Sequence, residues 1–179
     1  MESKMKTSIK EFRGATRWLS NFAEVQVTWN GMTFPTTENA YQASKVMNKD
    51  LIVDVPQFNI RGGQTIQKMT YWELCQTCSA KTAKAFSTLD IVKQNLRKDW
   101  RDVNLHIMYD LNKQKFLQEP YKTKLIETGD RELQEGNNWG DLFWGVDITS
   151  GEGHNHLGRI IMEIRDELNG KQTNYFETL

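Results

Sequence analysis

Between Val25 and Lys45 the chain changes hydrophobic period once, and that change limits it to a mixed fold. In V-Q-V-T-W-N-G-M-T-F (25–34), Val25, Val27 and Trp29 alternate with polar residues, the two-residue period of a strand with one buried face. Asn30-Gly31 is a favoured two-residue hairpin turn because both positions tolerate positive φ. Pro35 then punctuates the run, and Thr36 or Thr37 supplies a hydroxyl to cap a helix that begins near Glu38. A hairpin followed at once by a helix predicts an α+β architecture.

That helix is also the first candidate site. In E-N-A-Y-Q-A-S-K (38–45), Glu38, Gln42 and Lys45 stand at i, i+4 and i+7 and share one face. Ala40, Ala43 and Met47 form an opposite face small and apolar enough to pack on a core. A carboxylate, an amide and an amine are thereby held on a rigid element, with Tyr41 and Ser44 flanking them. The plain alternative is a glutamate stabilised by the helix dipole and a solvated lysine. The chemical reading is a partly desolvated lysine beside an acid, a group suited to Schiff-base or proton-transfer chemistry.

Further along, Arg61-Gly62-Gly63 breaks the chain, and a helical stretch is expected over 65–86, then another over 88–97. Val103, Ile107 and Leu111, with Leu105, Met108 and Phe116, predict a helix over 101–117. Pro120 begins a short helix that ends at Thr128-Gly129, and 132–145 reads as a loop or strand-and-loop. The clearest pattern comes last: Leu157, Ile160, Ile161, Ile164 and Leu168 form one stripe, closed by Gly170. With 179 residues and no linker or repeat, one domain over 1–179 is expected, compact and mainly helical with a small antiparallel sheet.

Composition narrows the function. Lysine plus arginine (23) balances aspartate plus glutamate (23), so a nucleic acid would be gripped by a pocket and not by a charged flank. No apolar run of about 18 residues is present, so no membrane span is expected. The first ten residues lack the apolar centre of a secretory signal, and two cysteines make no disulfide framework, which suits the cytoplasm. Cys75 and Cys78 form C-x-x-C, but a zinc site needs two more ligands at a familiar spacing, so neither metal nor cofactor is expected.

Two more clusters carry chemistry. G-N-N-W-G-D-L-F-W-G (136–145) suits a loop shaped around a flat ligand, with Trp139 and Trp144 to stack a base and Asp141 to stabilise positive charge or activate water. A structural turn pinned by aromatic anchors is the alternative. S-G-E-G-H-N-H-L-G (150–158) runs glycine-rich backbone into the last helix and offers N–H groups to phosphate, although it lacks the spacing of a dinucleotide fingerprint.

These clusters, in order, together with F-R-G and L-S-N-F (12–22), R-K-D-W (97–100), K-F (115–116), T-G-D-x-E-L-x-E-G-N-x-W-G-D-x-F-W-G-V (128–146) and N-H-L-G-R-I-I-M-E-I-R (155–165), resemble the NADAR family. The resemblance covers about half the chain; residues 50–96 depart from the pattern. It implies an α+β fold and hydrolysis of an N-glycosidic bond at a ribose C1. On it, Glu38 and Lys45 match the acid and lysine of the central helix, Asp141 and Glu135 are further candidate acids, and Trp144 and Gly145 belong to the acid-and-aromatic loop. Arg13, Ser20, Asn21, Phe22, Gln42, Trp100, Trp139, Asn155 and Gly158 are the implied substrate-binding residues. The implied substrate is an ADP-ribosylated nucleotide or DNA, with removal of ADP-ribose from guanine favoured. A ribosylamino-pyrimidine phosphate of riboflavin synthesis, or a reader of ADP-ribose or NAD derivatives without turnover, are the alternatives. Oligomeric state is left open.

Overall fold

The computed structural model describes residues 7–58 and 62–178; Arg61, expected in a turn, and the first six residues lie outside these. The chain divides into two compact units, one of residues 24–104, the other of the residues up to 23 and from 105 onward. The architecture is α+β.

In the first unit, strands β1 (Glu24–Trp29) and β2 (Met32–Thr36) pair antiparallel around the Asn30-Gly31 turn, where both residues have positive φ (51° and 79°) as a tight right-twisting hairpin requires. Pro35 sits inside β2 and does not end it. The Thr36 hydroxyl accepts the Asn39 N–H (3.1 Å) and starts helix α1 (Thr37–Ser44). All eight residues of α1 are buried, because the helix packs against β1, β2 and the two helices that follow.

The expected helix over 65–86 is corrected. Residues Gln64–Thr70 are strand β4, paired antiparallel in full register with β3 (Ile52–Phe58). Val53 and Val55 of β3 bury one face of this ribbon, and cross-strand pairing overrides the helical period read from β4 alone. Helix begins only where a cap allows it. The Thr70 hydroxyl accepts the Glu73 N–H while the Glu73 carboxylate accepts the Thr70 N–H, a reciprocal capping box that opens α2 (Tyr71–Thr77). Then follow α3 (Ala80–Phe86), begun by the Ser79 hydroxyl, and α4 (Asp90–Gln94), shorter than the 88–97 expected. Met47, expected on the packed face of α1, is 63% exposed because the helix ends before it.

Helix α5 (Trp100–Phe116) and α6 (Tyr121–Glu127) fall where the periodicity put them. In the second unit, residues 132–137 form its spine. On one side Ile9 donates to the Glu132 carbonyl and accepts from Gln134. On the other, β5 (Gly136–Asn137) pairs in parallel with β6 (Val146–Asp147), whereas both ribbons of the first unit are antiparallel, as expected. Such close lanes need glycine: a Cβ on Gly136 would run into the Lys10 carbonyl, and one on Gly145 into that of Glu135. Helix α7 (His156–Leu168) buries Leu157, Ile160, Ile161 and Ile164, the stripe read from the sequence. Among the described residues, no helix is long and apolar enough to cross a membrane.

Two stability measurements check this account. Thr70→Ala removes half of the capping box and should cost about 1 kcal/mol in urea denaturation. Gly145→Ala places a methyl against backbone that has no room to yield, and should lower the melting temperature by several degrees, an overpacking cost of about 1–3 kcal/mol.

Candidate functional site

In the unit of residues 24–104, the site residues gather on α1. The Gln42 side-chain N–H donates to Glu38 Oε1 (2.7 Å), fixing the carboxylate one turn earlier. The other end of that amide, Gln42 Oε1, is buried and has no hydrogen-bond partner among the described residues, so it is an unused acceptor. Asn39 fastens the helix from beneath, donating to the carbonyls of Cys75 (2.7 Å) and Cys78 (2.9 Å). Cys75 is thus part of a packed joint, and burial pushes its thiol well up from the ordinary range.

Lys45 is the C-cap of α1, still in helical conformation, so it keeps the face shared with Glu38 and Gln42. Its Nζ lies 5.7 Å from the Tyr41 ring centre and 5.8 Å from that of Trp100, whose rings are 5.1 Å apart. The R-K-D-W segment is carried there by main chain: the Arg97 N–H donates to the Lys45 carbonyl (2.8 Å), and a bidentate Arg97–Asp99 pair braces the turn into α5. Desolvation lowers the Lys45 pKa from its ordinary 10.5, with Lys84 acting in the same direction. Glu38 and Cys75 oppose this, and the two aromatic faces also favour the cation. Burial wins. The result is a half-buried amine with reduced basicity beside a buried carboxylate, what a nucleophilic or proton-carrying lysine requires.

In the other unit, the Ser20–Phe22 turn is clamped in place. The Ser20 hydroxyl accepts the Phe22 N–H (3.1 Å), and Asn112 donates to Asn21 Oδ1 (3.1 Å). The 136–145 loop is organised by Asn137, which the sequence reading passed over. Its amide donates to the Asp141 and Val146 carbonyls, and its Oδ1 accepts the N–H groups of Trp139 and Asp141. Asp141 in turn accepts the Trp144 N–H on Oδ1 (2.9 Å). Trp139 projects outward, 53% exposed, with the Arg13 guanidinium 4.5 Å above its ring, so a stacking face and a cation are brought together.

The 150–158 stretch behaves differently from the reading of its glycines. The N–H groups of His154, Asn155, His156 and Leu157 donate to the carbonyls of Leu142, Gly145, Phe143 and Trp144, and so are not offered to phosphate. Their role is to close the aromatic loop onto α7. Asn155, in left-handed conformation (φ 52°), accepts the Glu135 N–H and donates to the Leu133 carbonyl, and Gly158 leaves room for both. Asn155 therefore holds the candidate acid Glu135 by its backbone. Lys115, which the sequence reading quoted only within K-F (115–116) and gave no role, is fully buried; its place at i+7 from Met108 on the packed face of α5 was the further signal available.

A family model described as the NADAR domain matches residues 9–169. The chain is 33% identical over 152 residues to a riboflavin biosynthesis protein of Vibrio vulnificus, covering 84% of this chain and 35% of that protein. It is 34% identical over 139 residues to the chloroplastic riboflavin biosynthesis protein PYRR of Zea mays, covering 77% of this chain and 20% of that protein. The chain thus spans about a third of the first of these relatives and a fifth of the second. The N-glycosidase YbiA of Escherichia coli is 29% identical over 150 residues, 83% of this chain and 79% of YbiA. The NMR structure of YbiA superposes with a TM-score of 0.68 at 26% identity, over 92% of this chain and 87% of that one. With the family model spanning nearly all of the sequence, the chain belongs to the NADAR domain family.

Proposed function

We propose that this protein is an N-glycosidase that hydrolyses the bond between a ribose C1 and a base nitrogen, and that its substrate is ADP-ribose attached to guanine in DNA. The observation that carries the reading is Lys45: an amine of depressed basicity, flanked by Tyr41 and Trp100, on the same helix face as Glu38. The N-glycosidase YbiA among the relatives supports the reaction class.

Cleavage develops positive charge at C1 and leaves electrons on the base nitrogen, so the reaction needs a negative group near the sugar and a proton for the leaving group. Glu38, oriented by Gln42, supplies the charge. Once the ribose ring opens, with a proton taken up by the ring oxygen, C1 is held to the base as an imine. The Lys45 lone pair adds to C1, the C1–N bond to the base breaks, and the base departs with a proton. Water then hydrolyses the Lys45 Schiff base, returning the amine and an aldehyde that closes again to ribose. A flipped, modified guanine suits a chain of zero net charge, since the pocket and not a field does the gripping. The exposed Trp139 face beside Arg13 has the chemistry to stack a base next to a phosphate.

A second substrate is favoured by a specific observation. Two of the relatives are named for riboflavin biosynthesis, which points to a ribosylamino-pyrimidine phosphate cleaved by the same chemistry.

Side-by-side incubation with an oligonucleotide carrying ADP-ribosyl-guanine and with the ribosylamino-pyrimidine phosphate separates these readings. Release of free ADP-ribose is the expected result. Cleavage of the pyrimidine alone would replace the substrate, and stoichiometric binding without release would make the protein a reader. Lys45→Ala should lower kcat by more than about 100-fold while binding stays measurable, and borohydride should trap the sugar on Lys45 in the wild type. Because the folded Lys45 pKa lies below 10.5, the neutral nucleophile is present at lower pH than for a free lysine, and kcat should rise with pH along a limb centred below that value.

A further inference from the structure

We propose that Lys115 is a positioning residue: with Met108 and Asn112 it forms a buried face of α5 that sets the Ser20–Phe22 turn, and its own charge decides how firmly that turn is held. The inference rests on the reading in which this turn binds substrate.

The geometry is a ladder. Met108, Asn112 and Lys115 stand at i, i+4 and i+7, one per turn of α5. Met108 Sδ accepts the Asn21 amide (3.2 Å), Asn112 donates to Asn21 Oδ1 (3.1 Å), and Lys115 Nζ donates to the Ser20 carbonyl (2.7 Å). Three successive rungs thus hold two adjacent residues of the turn. Lys115 itself is 0% exposed, with its Nζ 4.9 Å from the Phe116 ring centre and 5.3 Å from that of Tyr121. A lysine so placed touches no substrate and acts through what it holds.

Its surroundings make the hold depend on pH. Burial lowers its pKa to about 7, against an opposing attraction from Glu135. Among the described residues Glu135 is the charged group acting on it, and Tyr121 is the titratable ring against it. Below about 7 an ammonium makes a charge-assisted bond to the Ser20 carbonyl and is attracted by the charge of Glu135; above it a neutral amine makes a weaker bond to that carbonyl. Substrate affinity should therefore fall as pH rises through 7.

The test compares wild type, Lys115→Met and Lys115→Arg with the ADP-ribosylated oligonucleotide between pH 6 and 8. Wild-type KM should rise several-fold across that range with a smaller change in kcat. Lys115→Arg, always charged, should give a low and flat KM; Lys115→Met should give a high and flat one. A KM that follows the same pH curve in all three overturns the proposal. Stability gives a readout that needs no turnover. The unfolded lysine stays protonated up to 10.5 while the folded one releases its proton near 7, so wild-type stability should climb from pH 7 to 9 and Lys115→Met should lose that slope. A wild type inactive on the oligonucleotide refutes the functional reading while the stability slope still tests the lysine. Should Lys115→Met fail to fold, Asn112→Ala serves instead: it removes the middle rung alone and should raise KM several-fold at every pH, and an unchanged KM would overturn the ladder.

Discussion

Helix α1 is buried along its whole length, although five of its eight residues are polar, and that one commitment governs the unit around it. A polar group taken from water without a partner costs roughly 1–3 kcal/mol, so each must find a bond inside. Asn39 reaches two carbonyls of the next helix, Ser44 bonds back to Tyr41, and Gln42 turns its N–H to Glu38. Two side-chain oxygens of α1 stay without a hydrogen bond among the described residues: Thr37 Oγ1 in the first turn and Gln42 Oε1 one turn before the desolvated Lys45. The Gln42 oxygen shares its helix face with Glu38 and Lys45, which is where the candidate site stands.

The other unit meets the same constraint with asparagines. Asn137 and Asn155 each close a loop with both ends of the amide, and they substitute for the regular pairing that two-residue strands are too short to provide. Glycines at 136 and 145 then let three lanes of backbone approach closely. Loop shape here comes from side-chain amides and missing methyl groups, not from a sheet, so a tryptophan can stand outward without loosening its support.

How far the sequence could be read follows from where information is local. The β1–β2 hairpin, the Thr36 cap and the stripe of α7 depend on neighbours within one turn or one strand, and each stood where periodicity and turn chemistry put it. The ribbon of β3 and β4 was missed because Gln64–Thr70 carries no alternation of its own; almost every residue is exposed, and the strand exists through its partner. The capping signal at Thr70 and Glu73 was present and would have moved the helix start. In the candidate site, Glu38, Gln42 and Lys45 were legible as a helix face, but the Trp100 contact depends on a backbone bond from Arg97 that no spacing reveals. The backbone amides before α7 were misread because glycine content shows freedom of conformation and says nothing about which carbonyl claims each N–H.

The two bonds from Asn39 have a mechanical consequence. They rivet the first turn of α1 to the end of α2, so neither helix can slide without breaking both. The helix face that carries Glu38 and Gln42 therefore stands on a stiff frame, whose backbone has little slack for yielding to a shape that does not match it.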